Sequence, residues 1–134
     1  MIGKRVPSEL ELQAKLYTGI INEGIPCNME FPVATRDCSV RGRFDIITWT
    51  STGLPLVVVE VKREWNPRKH REQLSRYEDL FTFLHHNVDI KGKRPQRARP
   101  RVHMFAYDGV DSVSSMVRYI KSEYETVEGN LNGS

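Results

Sequence analysis

The chain has 134 residues, 39% hydrophobic and 28% charged, enough for one domain with its own core and too few for two. A formal net charge of +3 and a pI near 9.0 admit a polyanionic partner without requiring one. No apolar run approaches a membrane span, no N-terminal stretch reads as a signal peptide, and no G-x-x-x-x-G-K-[ST] sequence forms a phosphate loop, so the expectation is a cytoplasmic protein that is no ATP-driven motor.

The first helix starts at Ser8, where Ser8-Glu9-Leu10-Glu11 after Pro7 has the form of a capping box, and Gly24 stops it. Leu10, Ala14, Tyr17 and Ile21 fall on one stripe, which Leu16 and Ile20 extend. Glu9 and Gln13 lie within that stripe and Glu11 lies opposite. Glu11 therefore reads as a cap and a solvated acid, while Glu9 and Gln13 face the sheet. A first-turn acid is equally well explained by the helix dipole. A strand follows over Cys27–Thr35, with Glu30 as its one acid, and then a polar linker, Arg36–Arg41. Cys27 and Cys38 have no metal-binding spacing and read as reduced thiols.

Residues 42–64 read as a hairpin. Its first strand, Gly42–Thr50, carries Asp45. The turn is Ser51-Thr52-Gly53. The second strand, Pro55–Glu64, is a β-branched run through Val57, Val58 and Val59, which predicts a central strand buried on both faces. Side chains two apart share a face, so Glu60 and Lys62 point one way and Val57, Val59 and Val61 the other. Pairing across the turn brings Asp45 alongside Glu60. Two buried carboxylates repel unless a cation lies between them, and a hard divalent cation such as Mg²⁺ resolves the conflict. Lys62 would orient the attacking water or take its proton. Such a set hydrolyses phosphodiesters without a covalent intermediate. A bare E-x-K on an edge strand would be a solvated pair; at the end of a doubly buried strand it is costly without a task.

After Trp65-Asn66-Pro67 a second helix runs over Pro67–Leu84. Leu74, Tyr77, Phe81 and Leu84 form its buried stripe, with Leu80 alongside. Gln73 and Tyr77, four apart, share a face, and His70 lies just upstream on it. From spacing alone, Tyr77 reads as core and Gln73 as a boundary residue. His85 and His86 are explained by the helix C-terminus rather than by a metal. Lys91, Lys93, Arg94, Arg97, Arg99 and Arg101 make a basic loop with no acid, either solvated or in contact with phosphates. Arg41 and Arg43, near Asp45, are further cations that either meet phosphate or are solvated. The last strand is Val102–Tyr107. Asp111 caps a third helix, whose Val113, Val117, Ile120, Tyr124 and Val127 repeat at helical spacing. The tail from Glu128 on is expected to fray.

Asp45, fourteen intervening residues and Glu60-Val61-Lys62 resemble the PD-(D/E)xK nuclease superfamily, with Phe44 where the pattern usually has proline. Gln73-Leu74-Ser75-Arg76-Tyr77 resembles the Q-x-x-x-Y element that follows E-x-K in RecB-type nucleases and type I restriction motor subunits. Glu30-Phe31-Pro32-Val33 is similar to a strand of the latter. The resemblance spans Ser8 to Val127. It implies a restriction-endonuclease-like α/β fold, an αβββαβα core with a mixed four-stranded sheet flanked by helices, which the element order also predicts.

It further implies a Mg²⁺-dependent deoxyribonuclease in which Mn²⁺ substitutes. Asp45, Glu60, Glu9 and the Val61 carbonyl would hold the metal, and Lys62 would handle the water. Gln73 would complete the site, with Gln13 or Glu30 as alternatives to Glu9. Tyr77, Arg43, Arg63 and the basic loop would meet DNA. A double-strand cutter would be a homodimer or higher homo-oligomer. Two alternatives stand beside it: a nuclease-fold protein that binds nucleic acid without cutting, and a nuclease module that depends on a partner subunit for specificity or a motor.

Overall fold

The computed structural model describes residues 8–34, 37–39, 41–63, 66–87, 101–106 and 112–132. The elements run α1 (Glu9–Asn22), β1 (Cys27–Ala34), β2 (Arg41–Trp49), β3 (Pro55–Lys62), α2 (Pro67–Asn87), β4 (Arg101–Ala106) and α3 (Ser112–Asn132). This is the expected αβββαβα core. One four-stranded sheet has the order β1-β2-β3-β4. β1, β2 and β3 pair antiparallel, and β4 joins β3 in parallel after the α2 crossover. The mixed sheet between helices is consistent with a generic restriction-endonuclease-like fold.

α1 has both expected ends. Ser8 Oγ accepts the Glu11 N–H at 3.1 Å, the forward half of the capping box. At the other end Ile25 N–H reaches Ile20 O at 3.4 Å and Gly24 N–H reaches Ile21 O at 2.9 Å. With Gly24 at φ 77°, this is a Schellman end. The buried stripe differs from the expected one. Leu12, Gln13, Leu16 and Ile20 are inside, whereas Leu10 is 68% exposed and Ile21 41% exposed. The helix has two overlapping i, i+4 apolar series, and packing against α3 selects Leu12-Leu16-Ile20.

The two faces of the sheet carry separate cores. On one, α1 and α3 cover Ile46, Val57, Val59 and Val61 with Leu12, Leu16, Ile20 and Ile120. On the other, Tyr77, Leu80 and Phe81 of α2 cover Phe44, Ile47 and Val58. β3 is buried from Pro55 to Val61, as its valine run predicts. Each such aliphatic side chain contributes about 1.5–3 kcal/mol. α2 packs so closely on β2 that a Cβ on Gly42 would lie 2.8 Å from Tyr77 Cε1.

The β2–β3 turn forms as expected. Thr50 N–H bonds Leu54 O at 2.8 Å and Gly53 N–H bonds Thr50 O at 3.0 Å. Strand ends move by one or two residues, with Arg41 drawn from the linker into β2 and β3 ending at Lys62. α3 corrects a larger expectation. It does not fray at Glu128 but continues to Asn132. The Glu128 carboxylate accepts the Ser51 N–H at 2.6 Å and the Ser51 hydroxyl at 2.7 Å, tying the helix to the hairpin turn. Asp111 and residues 107–110 lie outside the described residues.

Candidate active site

The regular β2–β3 ladder stops at Ile46 opposite Val59. The next cross-strand positions are Asp45 and Glu60, and there side chains replace ladder carbonyls. Asp45 N–H donates to Glu60 Oε1 at 3.1 Å, and Val61 N–H donates to Asp45 Oδ2 at 2.9 Å. On the other side, β1 pairs Met29 with Ile46 and Phe31 with Phe44, leaving Glu30 opposite Asp45 without a ladder pairing. Glu30 has φ 55°, a left-handed backbone unusual for a glutamate. In a regular strand Phe44 and Ile46 would share a face. Here Phe44 belongs to the α2 core and Ile46 to the α1/α3 core. β2 turns over at Asp45, and the sheet opens beside it.

Glu60 is 1% exposed. Burial first, and the Asp45 charge next, push its carboxyl up to about 8. Burial also raises Asp45, and the charges of Glu30 and Glu9 add to that rise; the Val61 N–H and the Lys62 cation oppose it. Lys62, half-buried at the end of β3, is thus within electrostatic reach of both carboxylates. Glu60 and Lys62 lie on the α2 side of β3, with Val58, as their spacing predicts.

The start of α2 adds a residue whose role spacing did not reveal. Asn66 Oδ1 caps the helix by accepting the Lys69 N–H at 3.2 Å. The Asn66 N–H donates to His70 Nδ1 at 3.1 Å, so that nitrogen carries no proton. His70 is buried. Burial, then the cations of Lys62 and Lys69, hold its pKa below the ordinary value, with Glu9 opposing. One turn on, Gln73 Nε2 lies 3.4 Å from Tyr77 Oη. The Tyr77 ring is buried edge-to-face on Phe44, with centroids 5.7 Å apart, so its body belongs to the core.

Gln13 and Glu30 meet across α1 and β1: Gln13 Nε2 donates to Glu30 Oε1 at 3.0 Å. The other carboxylate oxygen of Glu30 lies 2.6 Å from Arg43 Nε. Nothing in the sequence signalled this chain, because it depends on the flipped backbone at Glu30. Glu9 is exposed in the first turn of α1, and its charge bears on Asp45 and His70.

The other expected site residues lie as follows. Val61 places its side chain in the α1/α3 core. Arg63 is exposed just beyond β3. Arg101 opens β4 opposite Val57, three residues or roughly 10 Å along the strand from the level of Glu60. Lys91, Lys93, Arg94, Arg97 and Arg99 lie outside the described residues. A cleft of about 440 Å³ between Ser39, Arg41, Glu72, Ser75, Arg76 and Asp79 lies off this centre. Two cations and two acids line it, so it selects neither charge.

Among the described residues no group of three or more His, Cys, Asp or Glu side chains is placed to hold a metal ion. Two carboxylates do converge, and a buried anionic pair is the donor chemistry that a hard cation relieves. Mg²⁺ commonly takes one or two protein carboxylates and completes its octahedron with water and substrate phosphate. Asp45 and Glu60 fit that pattern; they do not form an all-protein cage. No protein-family model, no curated protein and no solved structure matches the chain.

Proposed function

We propose that the protein is a divalent-metal-dependent endonuclease that hydrolyses phosphodiester bonds in DNA. The observation that carries this reading is the Asp45–Glu60 pair at the opening of the sheet. There Glu60 is 1% exposed, its carboxyl is raised to about 8, and Lys62 stands alongside. A structural ion pair would be exposed or neutralised. This one keeps two acids against a single lysine, an arrangement that is stable only with a proton or a cation.

Asp45 and Glu60 would hold Mg²⁺, which neutralises charge developing on the phosphate. Val61 N–H fixes Asp45 Oδ2, and Asp45 N–H fixes Glu60 Oε1, so both carboxylates are oriented before substrate arrives. Lys62 would orient the attacking water and hold or pass its proton. His70 and Gln73 line the α2 side. Arg43 and Arg63 would meet the DNA backbone, supplying affinity rather than sequence reading.

The test is cleavage of supercoiled plasmid and of labelled single-stranded, duplex and branched DNA with Mg²⁺, Mn²⁺ or chelator. Lys62→Ala should keep its fold and DNA binding and lose cutting by about a hundredfold or more. Cutting retained in that variant would remove Lys62 from its role. A second reading is a nuclease-fold protein that binds DNA without cutting, since fold does not fix function. Calorimetry separates the two, since a non-cutting binder without a metal site gives no heat with Mn²⁺. Cutting that appears only when a partner subunit is added would identify a nuclease module.

A further inference from the structure

Arg43 is already paired with an acid in this structure, at one edge of its guanidinium. Its Nε lies 2.6 Å from Glu30 Oε2, and Gln13 holds the other oxygen at 3.0 Å. The Glu30 carboxylate thus occupies the Nε position, one of the places at the guanidinium that a phosphate oxygen would take, and offsets its charge. Glu30 makes both contacts from a left-handed backbone, with φ 55°. Such a conformation is costly in a non-glycine residue and persists where the surroundings impose it. Arg43 stands two residues from Asp45 on β2, about 7 Å along the strand. A nucleic-acid strand whose reacting phosphate lies at Asp45 and Glu60 passes within its reach.

We propose that Glu30 is an internal competitor for the substrate phosphate at Arg43, and that DNA docks by exchanging this carboxylate for a backbone phosphate. The inference rests on the nuclease reading and deepens it. Magnitudes favour exchange. The side chains of Arg43 and Glu30 are 66% and 41% exposed, and pairs this exposed hold weakly, by about fivefold or less in an equilibrium constant. A phosphate in a polyanion brings a full charge and the release of a condensed counterion. A single dissolved anion lacks that second gain, so Glu30 reserves Arg43 for a phosphate chain. After exchange Glu30 stays bonded to Gln13, across from Asp45. Glu30 is therefore a positioning residue: it acts on DNA through Arg43 and does not touch the reacting atoms.

The experiment measures binding of labelled single-stranded and duplex DNA in chelator, so that the DNA stays intact, over a series of salt concentrations. It compares the wild type with Glu30→Gln, Arg43→Ala and the double variant. Glu30→Asn, whose side chain tolerates a left-handed backbone, repeats the charge removal with the fold secured. Both single Glu30 variants should bind about two- to fivefold more tightly. Arg43→Ala should bind more weakly, with the salt slope on duplex reduced by about 0.9. In the Arg43→Ala background Glu30→Gln should give no gain. Equal gains in both backgrounds would mean simple loss of a negative charge and overturn the exchange, as would no gain in either. A wild type that binds none of these DNAs overturns the exchange, and cleavage with Mg²⁺ decides the nuclease reading separately. A wild type that binds and cuts, yet shows equal gains, overturns the exchange alone.

Discussion

Glu60 carries the largest electrostatic cost at the residue scale. Its carboxyl is raised from an ordinary 4.5 to about 8. Between those values the folded chain holds a proton that the unfolded chain has released. Stability of the metal-free protein therefore falls as pH rises through that window and levels off above it. Asp45 shifts in the same direction and adds to the effect. A divalent cation replaces the proton, so Mn²⁺ should raise the melting temperature more at pH about 9 than at pH about 5. A cation effect independent of pH would remove the ion from this pair. The thiols give a second residue-scale expectation. Burial pushes Cys27 up to about 12, while Cys38 is exposed. A thiol reagent should modify Cys38 in the native protein and Cys27 only on unfolding, as mass spectrometry of the labelled peptides would record.

The element scale turns on two close contacts. Gly42 passes beneath α2, where a methyl group would meet Tyr77 Cε1 at 2.8 Å and Leu80 Cδ1 at 3.2 Å. A buried aromatic ring cannot swing aside, so Gly42→Ala should cost about 1–3 kcal/mol in urea denaturation. It should also disturb Gln73, which sits one turn from Tyr77 on the same face, and so lower cleavage. The other contact is the Glu128–Ser51 tie. Glu128→Ala should cost about 0.5–1.5 kcal/mol, and removal of residues 128–134 at least as much. A chain end without structure would lose nothing, so equal melting of the truncated and full-length proteins would refute the tie.

On the scale of the whole molecule, the sheet separates two cores and opens at one point between them. α1 and α3 fix one side of that opening and α2 the other, so the site borrows rigidity from both. Under the nuclease reading one such opening cuts one strand. Supercoiled plasmid should then pass through a nicked circle before any linear form, with the second cut steeper in protein concentration if two copies must meet. Linear product formed without a nicked precursor would require a preassembled oligomer.

Much of this was legible in the chain itself, for local reasons. A run of valines dictates a doubly buried strand, and period two puts Glu60 and Lys62 on one face. Ser8 and Gly24 bound α1 through backbone bonds that need only neighbouring residues. The Ser51-Thr52-Gly53 turn makes β2 and β3 neighbours, and a one-residue register shift between Thr48 and Trp49, which the turn does not encode, then brings Asp45 opposite Glu60. What remained hidden depends on contacts between distant segments. α1 carries two apolar series, and only its packing on α3 decides that Leu12, Leu16 and Ile20 go inside. Glu128 is an ordinary polar residue until Ser51 arrives 77 positions away. Glu30 reads as one more strand acid, because alternation assumes a regular backbone. Its left-handed φ and its bonds to Gln13 and Arg43 exist only once α1, β1 and β2 are assembled. The sequence by itself determined the order of elements and which acids could face each other. The tertiary structure decided where the sheet opens and which cation is held back, since burial and cross-element hydrogen bonds have no local code.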